Sequence, residues 1–531
     1  MVTRRYKTIT RRRLLRAAGA GAAGAALYRL GVPGVRMASA QGARTMTIGL
    51  WADVISLDPY DSNDNLSPSI ARLVYDGLLG FTPEEMKLRA ELATSWEVSK
   101  DARVFTFHLR QGVRFHDGTP FNAAAVKVNL DRARDPGNKL KRASLYEPIS
   151  SVDVVNDSTV RLTLHSPFGA MLYALAHMAT RMISPTALAK GADYVARNAV
   201  GTGPFKFVSW APGQQVMLER NPDFWQTGQS RVDRLVIKPV PEDAVRVPML
   251  LSGEAQFVYP IPGVQVDTVS KAPGVTIQKR WSIYQYYVAM NCQHEPFRDV
   301  RVRQAMNYAV DKDALVKIVL RDFGRPLEAP MAPGVAGYSP VQAGGWPYDV
   351  AKAKALLTEA GFPRGFETTL WSTNQTENMR VGEMLQQMLA KVGVTVHLAP
   401  MEAGTLTAVR FKPISENQSQ MNLVGWSSST GDADWALRPL YGGASWVPTL
   451  FNLSFYKNPQ VDTLLGDALA TADQSKRNAD YAAINRQIWN DAPSVFLYNS
   501  QIIAGVRNGA TGVYATPDGT VDLREAGLTG T

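Results

Sequence analysis

Cysteine is almost missing from this chain: one residue, Cys292, in 531. A single thiol excludes a disulfide within the chain and any Cys-rich metal site, and it reads as a small buried residue. Histidine is scarce too. The six present (His108, His116, His165, His177, His294 and His397) have no metal-ligand spacing. No P-loop, HExxH or GxSxG pattern occurs. The formal GxGxxG of residues 19–24 has no strand before it, so it follows from Gly- and Ala-rich composition alone. Beyond the N-terminus no apolar run reaches the about 20 residues that span a bilayer. Large net charge on the body is also lacking. The chain carries 57 basic and 47 acidic residues, but nine of the basic ones lie in residues 1–40, which hold no acid. The remaining 48 against 47 exert little pull on a phosphate backbone, which argues against nucleic acid as a partner.

What is present starts with an export signal. Thr10-Arg11-Arg12-Arg13-Leu14-Leu15-Arg16 has the form of a twin-arginine motif, an apolar stretch follows to Leu30, and Ala38-Ser39-Ala40 is a small-x-small cleavage site. Residues 1–40 are therefore expected to be removed and the mature chain to begin at Gln41 in the periplasm, free of a lipid anchor because no Cys lies near the cut.

The body is too long for one core and predicts two lobes. Residues 104–110 alternate Phe105, Phe107 and Leu109 against polar neighbours, the period-2 pattern of a half-buried strand; 160–165 does the same. Asn122 is placed to cap a helix over 123–133. Residues 203–210, 215–220 and 234–240 read as strands. The second half is more helical: 301–310, a helix opened by Asp311, 349–360 and 379–392, the last followed by a strand over Val394, Val396 and Leu398. Such strand–helix–strand runs imply α/β architecture.

Several stretches carry a resemblance. Ala93-Thr94-Ser95-Trp96-Glu97-Val98, Gly112-Val113-Arg114-Phe115-His116-Asp117-Gly118-Thr119-Pro120-Phe121, Val200-Gly201-Thr202-Gly203-Pro204-Phe205 and Pro296-Phe297-Arg298-Asp299-Val300-Arg301 occur in this order, with Asn458-Pro459-Gln460-Val461-Asp462 after them. Together they resemble the peptide- and nickel-binding family of ABC importer components. The HDG turn and the GTGP stretch read as structural, since Gly permits tight geometry and Pro fixes φ. Leu57-Asp58-Pro59-Tyr60-Asp61, Gly253-Glu254-Ala255-Gln256-Phe257 and Gly425-Trp426-Ser427 through Thr430-Gly431-Asp432-Ala433-Asp434-Trp435 are most similar to the glutathione-binding members. Where dipeptide binders carry Gly-Asp-Pro-Asp-Asn, this chain has Ala433 and Trp435.

The resemblance implies a two-lobe periplasmic-binding-protein clamp of the peptide-binding type, with an extra subdomain in the first lobe. The expected boundaries are 41–285 for lobe I with the insert at about 75–200, 286–499 for lobe II, and a return to lobe I over 500–531. It implies a monomer that delivers glutathione or a similar small peptide to a membrane permease, without catalysis, cofactor or metal. Dipeptides, oligopeptides, opines and metal chelates remain alternative ligands, and an exported peptide hydrolase is the enzyme alternative. Asp434 is the expected partner of the ligand ammonium and Arg380 of a carboxylate. Asp432, Trp435, Trp426 and Trp446 are expected around them, and Asn65 and Ser67 from the first lobe. Each also has an architectural reading: a helix cap or ion pair for the acids, core packing for the tryptophans, a polar turn for Asn65 and Ser67. Glutathione has two carboxylates, and the sequence does not identify a holder for the second.

Overall fold

The computed structural model describes residues 43–226 and 230–529. The export signal lies outside them. Among the described residues twelve strands form one large mixed sheet. From edge to edge its path runs Thr395–Met401, Glu367–Thr373, Met421–Ser427, Tyr284–Met290, Ser494–Arg507, Phe257–Tyr259, Thr45–Leu50, Arg234–Pro239, Gln215–Arg220 and Phe205–Ala211.

The strand Ser494–Arg507 organises this sheet. Its first half pairs antiparallel with Tyr284–Met290, from Ala289 opposite Ser494 to Tyr286 opposite Tyr498. Its second half pairs antiparallel with Val275–Trp281, from Trp281 opposite Gln501 to Val275 opposite Arg507. The two halves of the molecule are thus parts of one hydrogen-bonded ladder that changes partners near residue 500. Parallel pairing appears on both sides of the change: Thr45–Leu50 beside Arg234–Pro239, and Glu367–Thr373 beside Thr395–Met401. Parallel neighbours require helical crossovers, which matches the α/β pattern of the sequence.

A second, four-stranded antiparallel sheet lies outside this ladder, in the order Ala93–Val98, Val104–Leu109, Thr159–Leu164, Ile149–Asn156. Phe105, Phe107 and Leu109 point inward, as their alternation demands. The helix Ala123–Arg134 packs on this sheet, and Asn122 Oδ1 accepts from Ala125 N at 3.0 Å to cap it. Asp311 and Asp349 cap their helices in the same way.

The family motifs are structural where the chain crosses itself. His116 N donates to Gly201 O at 2.7 Å, and His116 Nε2 donates to Gly203 O at 3.0 Å, so the HDG turn is fastened to the GTGP stretch. A Cβ on Gly201 would sit 2.2 Å from Val74 O, and one on Gly203 would sit 2.7 Å from Leu73 O, which leaves no alternative to glycine. Buried ion pairs fasten the C-terminal segment to this region: Arg524 to Asp76 at 2.5 Å and Arg72 to Asp522 at 2.9 Å. Cys292 is half-buried, and desolvation pushes its thiol up to about 11, which disfavours the thiolate at neutral pH.

Candidate functional site

A cavity of about 1070 Å³ opens beside the point where Ser494–Arg507 changes partners. That is just above the usual volume of small-molecule sites, about 300–1,000 Å³. One wall comes from the first half of the sheet and its loops, including Trp51, Asn65, Tyr259 and Gly263. The opposite wall carries Tyr286, Arg321, Phe323, Glu377 and Arg380, and Ser500–Ile503 of the long strand connect the two.

Aromatic rings supply the apolar surface. Trp51 meets Tyr259 edge to face at 5.1 Å, and Tyr284, Tyr286 and Tyr498 form a stacked series with centroids 6.4 and 4.7 Å apart. Tyr284 and Tyr286 face the cavity together because successive side chains of a strand alternate. Asn65 Nδ2 donates to Tyr284 Oη at 3.1 Å.

The charges fall into two groups. Most acids on the walls are engaged: Asp53 accepts from Gly213 N and Val54 N, Asp64 from Ser67 N, and Asp243 pairs with Arg246. Glu377 is open to the cavity and, among the described residues, has only a long contact, 3.4 Å, from Tyr498 Oη. The surrounding walls desolvate its carboxyl and raise its pKa above the ordinary range. Arg321 and Arg380 are exposed on the walls, and among the described residues neither has an acidic partner or a hydrogen-bond acceptor. Both lie on elements that pack together: Arg380 in the helix Thr376–Ala390, Arg321 just after the helix Lys312–Val319.

Of the eight residues expected from the sequence, Arg380 and Asn65 line this cavity. Ser67 stands behind it, fully buried, its Oγ accepting from Ile55 N at 2.9 Å. The other five gather elsewhere. Asp432 is fully buried, caps the helix Ala433–Tyr441 through Asp434 N at 2.9 Å, and pairs with Arg477 at 2.8 Å. Asp434 is 4% exposed, and its Oδ1 accepts from Arg438 Nε at 2.8 Å. Trp426 donates to Trp435 O at 2.9 Å and packs on Phe451, while Trp446 donates to Tyr456 O at 2.8 Å. Both acids therefore have cationic partners within the fold, and these two indoles have their acceptors there. Sequence reasoning missed Arg321, Glu377 and the aromatic walls. Glu377 had a signal, one helical turn before Arg380; Arg321 follows a helix end with no motif.

The family model described as bacterial extracellular solute-binding proteins, family 5, matches residues 87–447. This chain belongs to that family. Membership makes it the periplasmic substrate-binding component of an ABC importer. Among its relatives is the glutathione-binding protein GsiB of Pectobacterium atrosepticum, 43% identical over 95% of this chain and 98% of that one. The solved structure of the periplasmic binding protein DppA from Helicobacter pylori, in complex with the peptide STSA, is similar with a TM-score of 0.76 at 28% identity. It covers 91% of this chain and 98% of that one. HbpA2 from Haemophilus parasuis gives a TM-score of 0.81 at 27% identity, over 91% and 100% of the two chains. The fold is accordingly the two-lobe clamp of peptide-binding proteins.

Proposed function

We propose that the cavity binds glutathione, or a small peptide with the same charge pattern, and that closure of the two lobes over it presents the ligand to the permease. The observation that carries this reading is Arg380, a guanidinium unpaired among the described residues, on the wall of a cleft lined by tyrosine and tryptophan. Its planar fork suits a carboxylate, and the aromatic walls exclude water from that pair. The 43% identity to a glutathione-binding protein supports the same ligand. Binding requires no covalent step, and the protein acts as a monomer that returns its ligand unchanged. The twin-arginine motif and Ala38-Ser39-Ala40 support export in folded form, with the mature chain starting at Gln41.

Calorimetric titration of the mature protein with reduced glutathione tests the proposal. Saturable one-to-one binding is expected, with the tripeptide recovered intact by mass spectrometry. If glutathione releases no heat while a simple dipeptide, an opine or a metal chelate saturates the protein, the ligand assignment falls. Cleavage products would instead establish a hydrolase.

A further inference from the structure

Arg321 sits in an unusual piece of backbone. The helix Lys312–Val319 ends at the cavity, and the next residues turn sharply through Arg321 at φ 52 and Asp322 at φ 64. Two consecutive residues with Cβ atoms in the left-handed region are unfavourable, and such conformations persist only where the surroundings enforce them. Here the turn is held at both ends. Asp322 N donates to Val316 O at 3.3 Å, and Gln501 N of the long strand donates to Phe323 O at 2.8 Å. The result places Arg321 against the other lobe: a Cβ on Gly263 would stand 3.9 Å from Arg321 Cδ and 3.4 Å from the Phe323 ring. Among the described residues the guanidinium of Arg321 has no partner, although it lines the cavity with the equally unpaired Arg380.

The free charges of the cleft are therefore two guanidiniums and the loosely held carboxylate of Glu377. Glu377 and Arg380 lie one helical turn apart on one helix, so an anion and a cation stand side by side. An α-amino-acid head group, with its ammonium and carboxylate on one carbon, needs that arrangement. A carboxylate at the far end of the ligand needs a cation on another element.

Resting on the glutathione reading, we propose that Arg321 holds the second ligand carboxylate, that of the glycine end, while Glu377 and Arg380 hold the γ-glutamyl head group. The strained turn fixes the distance between the two cation sites, and the cleft thereby selects a ligand with two carboxylates and one ammonium over a dipeptide with one of each.

A cycle in protein and ligand tests this. The mature parent and Arg321→Gln are titrated with glutathione and with its glycine monoethyl ester, which lacks the distal charge. Removing one partner of a desolvated charge pair typically weakens binding by about 30-fold or more. That loss is expected for Arg321→Gln with glutathione and for the parent with the ester, but combining both changes should cost little more than either alone. Arg321→Lys should retain part of the affinity. Additive losses, or parent-like glutathione binding by Arg321→Gln with an unchanged melting curve, would overturn the assignment and leave the glutathione reading intact. Failure of the parent itself to bind glutathione would overturn both. Should Arg321→Gln not fold, a parent that binds the ester as tightly as glutathione still refutes the proposal.

Discussion

Replacing Asp432 by Asn asks whether the stretch Gly431-Asp432-Ala433-Asp434-Trp435 is a ligand contact or an internal brace. Asn keeps the oxygen that caps the helix Ala433–Tyr441, since Asn and Asp are about equally good caps. It removes the negative charge facing Arg477, whose side chain is 1% exposed. Breaking a buried pair from one side costs about 3–5 kcal/mol, because the remaining charge has no water to turn to. Arg477 keeps three acceptors, Ala468 O at 3.1 Å, Gln474 Oε1 at 3.0 Å and Tyr481 Oη at 3.0 Å, so the lower end, about 3 kcal/mol, is expected. With a urea slope of about 3 kcal/mol per molar, the unfolding midpoint should fall by about 1 M. Tryptophan fluorescence reads that shift, and calorimetry in parallel should find glutathione affinity within about threefold of the parent, well under the tenfold that corresponds to 1.4 kcal/mol. The reasoning is refuted by the opposite pattern: parent-like unfolding with affinity lost tenfold or more. That pattern would place Asp432 on the ligand and deny that Arg477 depends on it.

Desolvation pushes His116 down to about 4 from an ordinary 6.5, so between those values the unfolded chain binds more protons and stability falls as pH falls. Thermal melts at pH 7 and 4.5 should show a smaller pH-dependent loss for His116→Gln than for the parent, and equal losses would refute the contribution. Lys at both Arg11 and Arg12 should hold the precursor in the cytoplasm; undiminished periplasmic accumulation, read by fractionation, would remove the twin-arginine route.

Local structure was legible wherever a periodic pattern or a cap specified it. Alternating phenylalanines predicted the strand Val104–Leu109, and Asn122, Asp311 and Asp349 announced their helices one residue ahead. The helix Thr376–Ala390 begins three residues before the expected 379, because its polar first turn, Thr376-Glu377-Asn378, breaks no apolar period and so gives no signal. The cleft was only partly legible, for a physical reason. A charge near a motif reads alike whether it faces a ligand or another residue, and only the fold supplies Arg477 for Asp432 and Arg438 for Asp434. Conversely, Arg321 becomes conspicuous only when the backbone angles and the absence of a partner are known.

Where the cleft sits also follows from how the long strand changes partners near residue 500. Ser282 N and Oγ both donate to Ser500 O, at 3.1 and 2.7 Å, and Asn499 Nδ2 donates to Ser282 O and Tyr284 O at 2.8 and 2.7 Å. The two chain segments at the change of strand partners are thus stitched to each other beside the cavity. On the proposed reading, a ligand held by Glu377, Arg380 and Arg321 on one wall meets Trp51, Tyr259 and Asn65 on the other. Contacts to the second lobe exist only when the lobes approach, and that differential affinity is what drives closure.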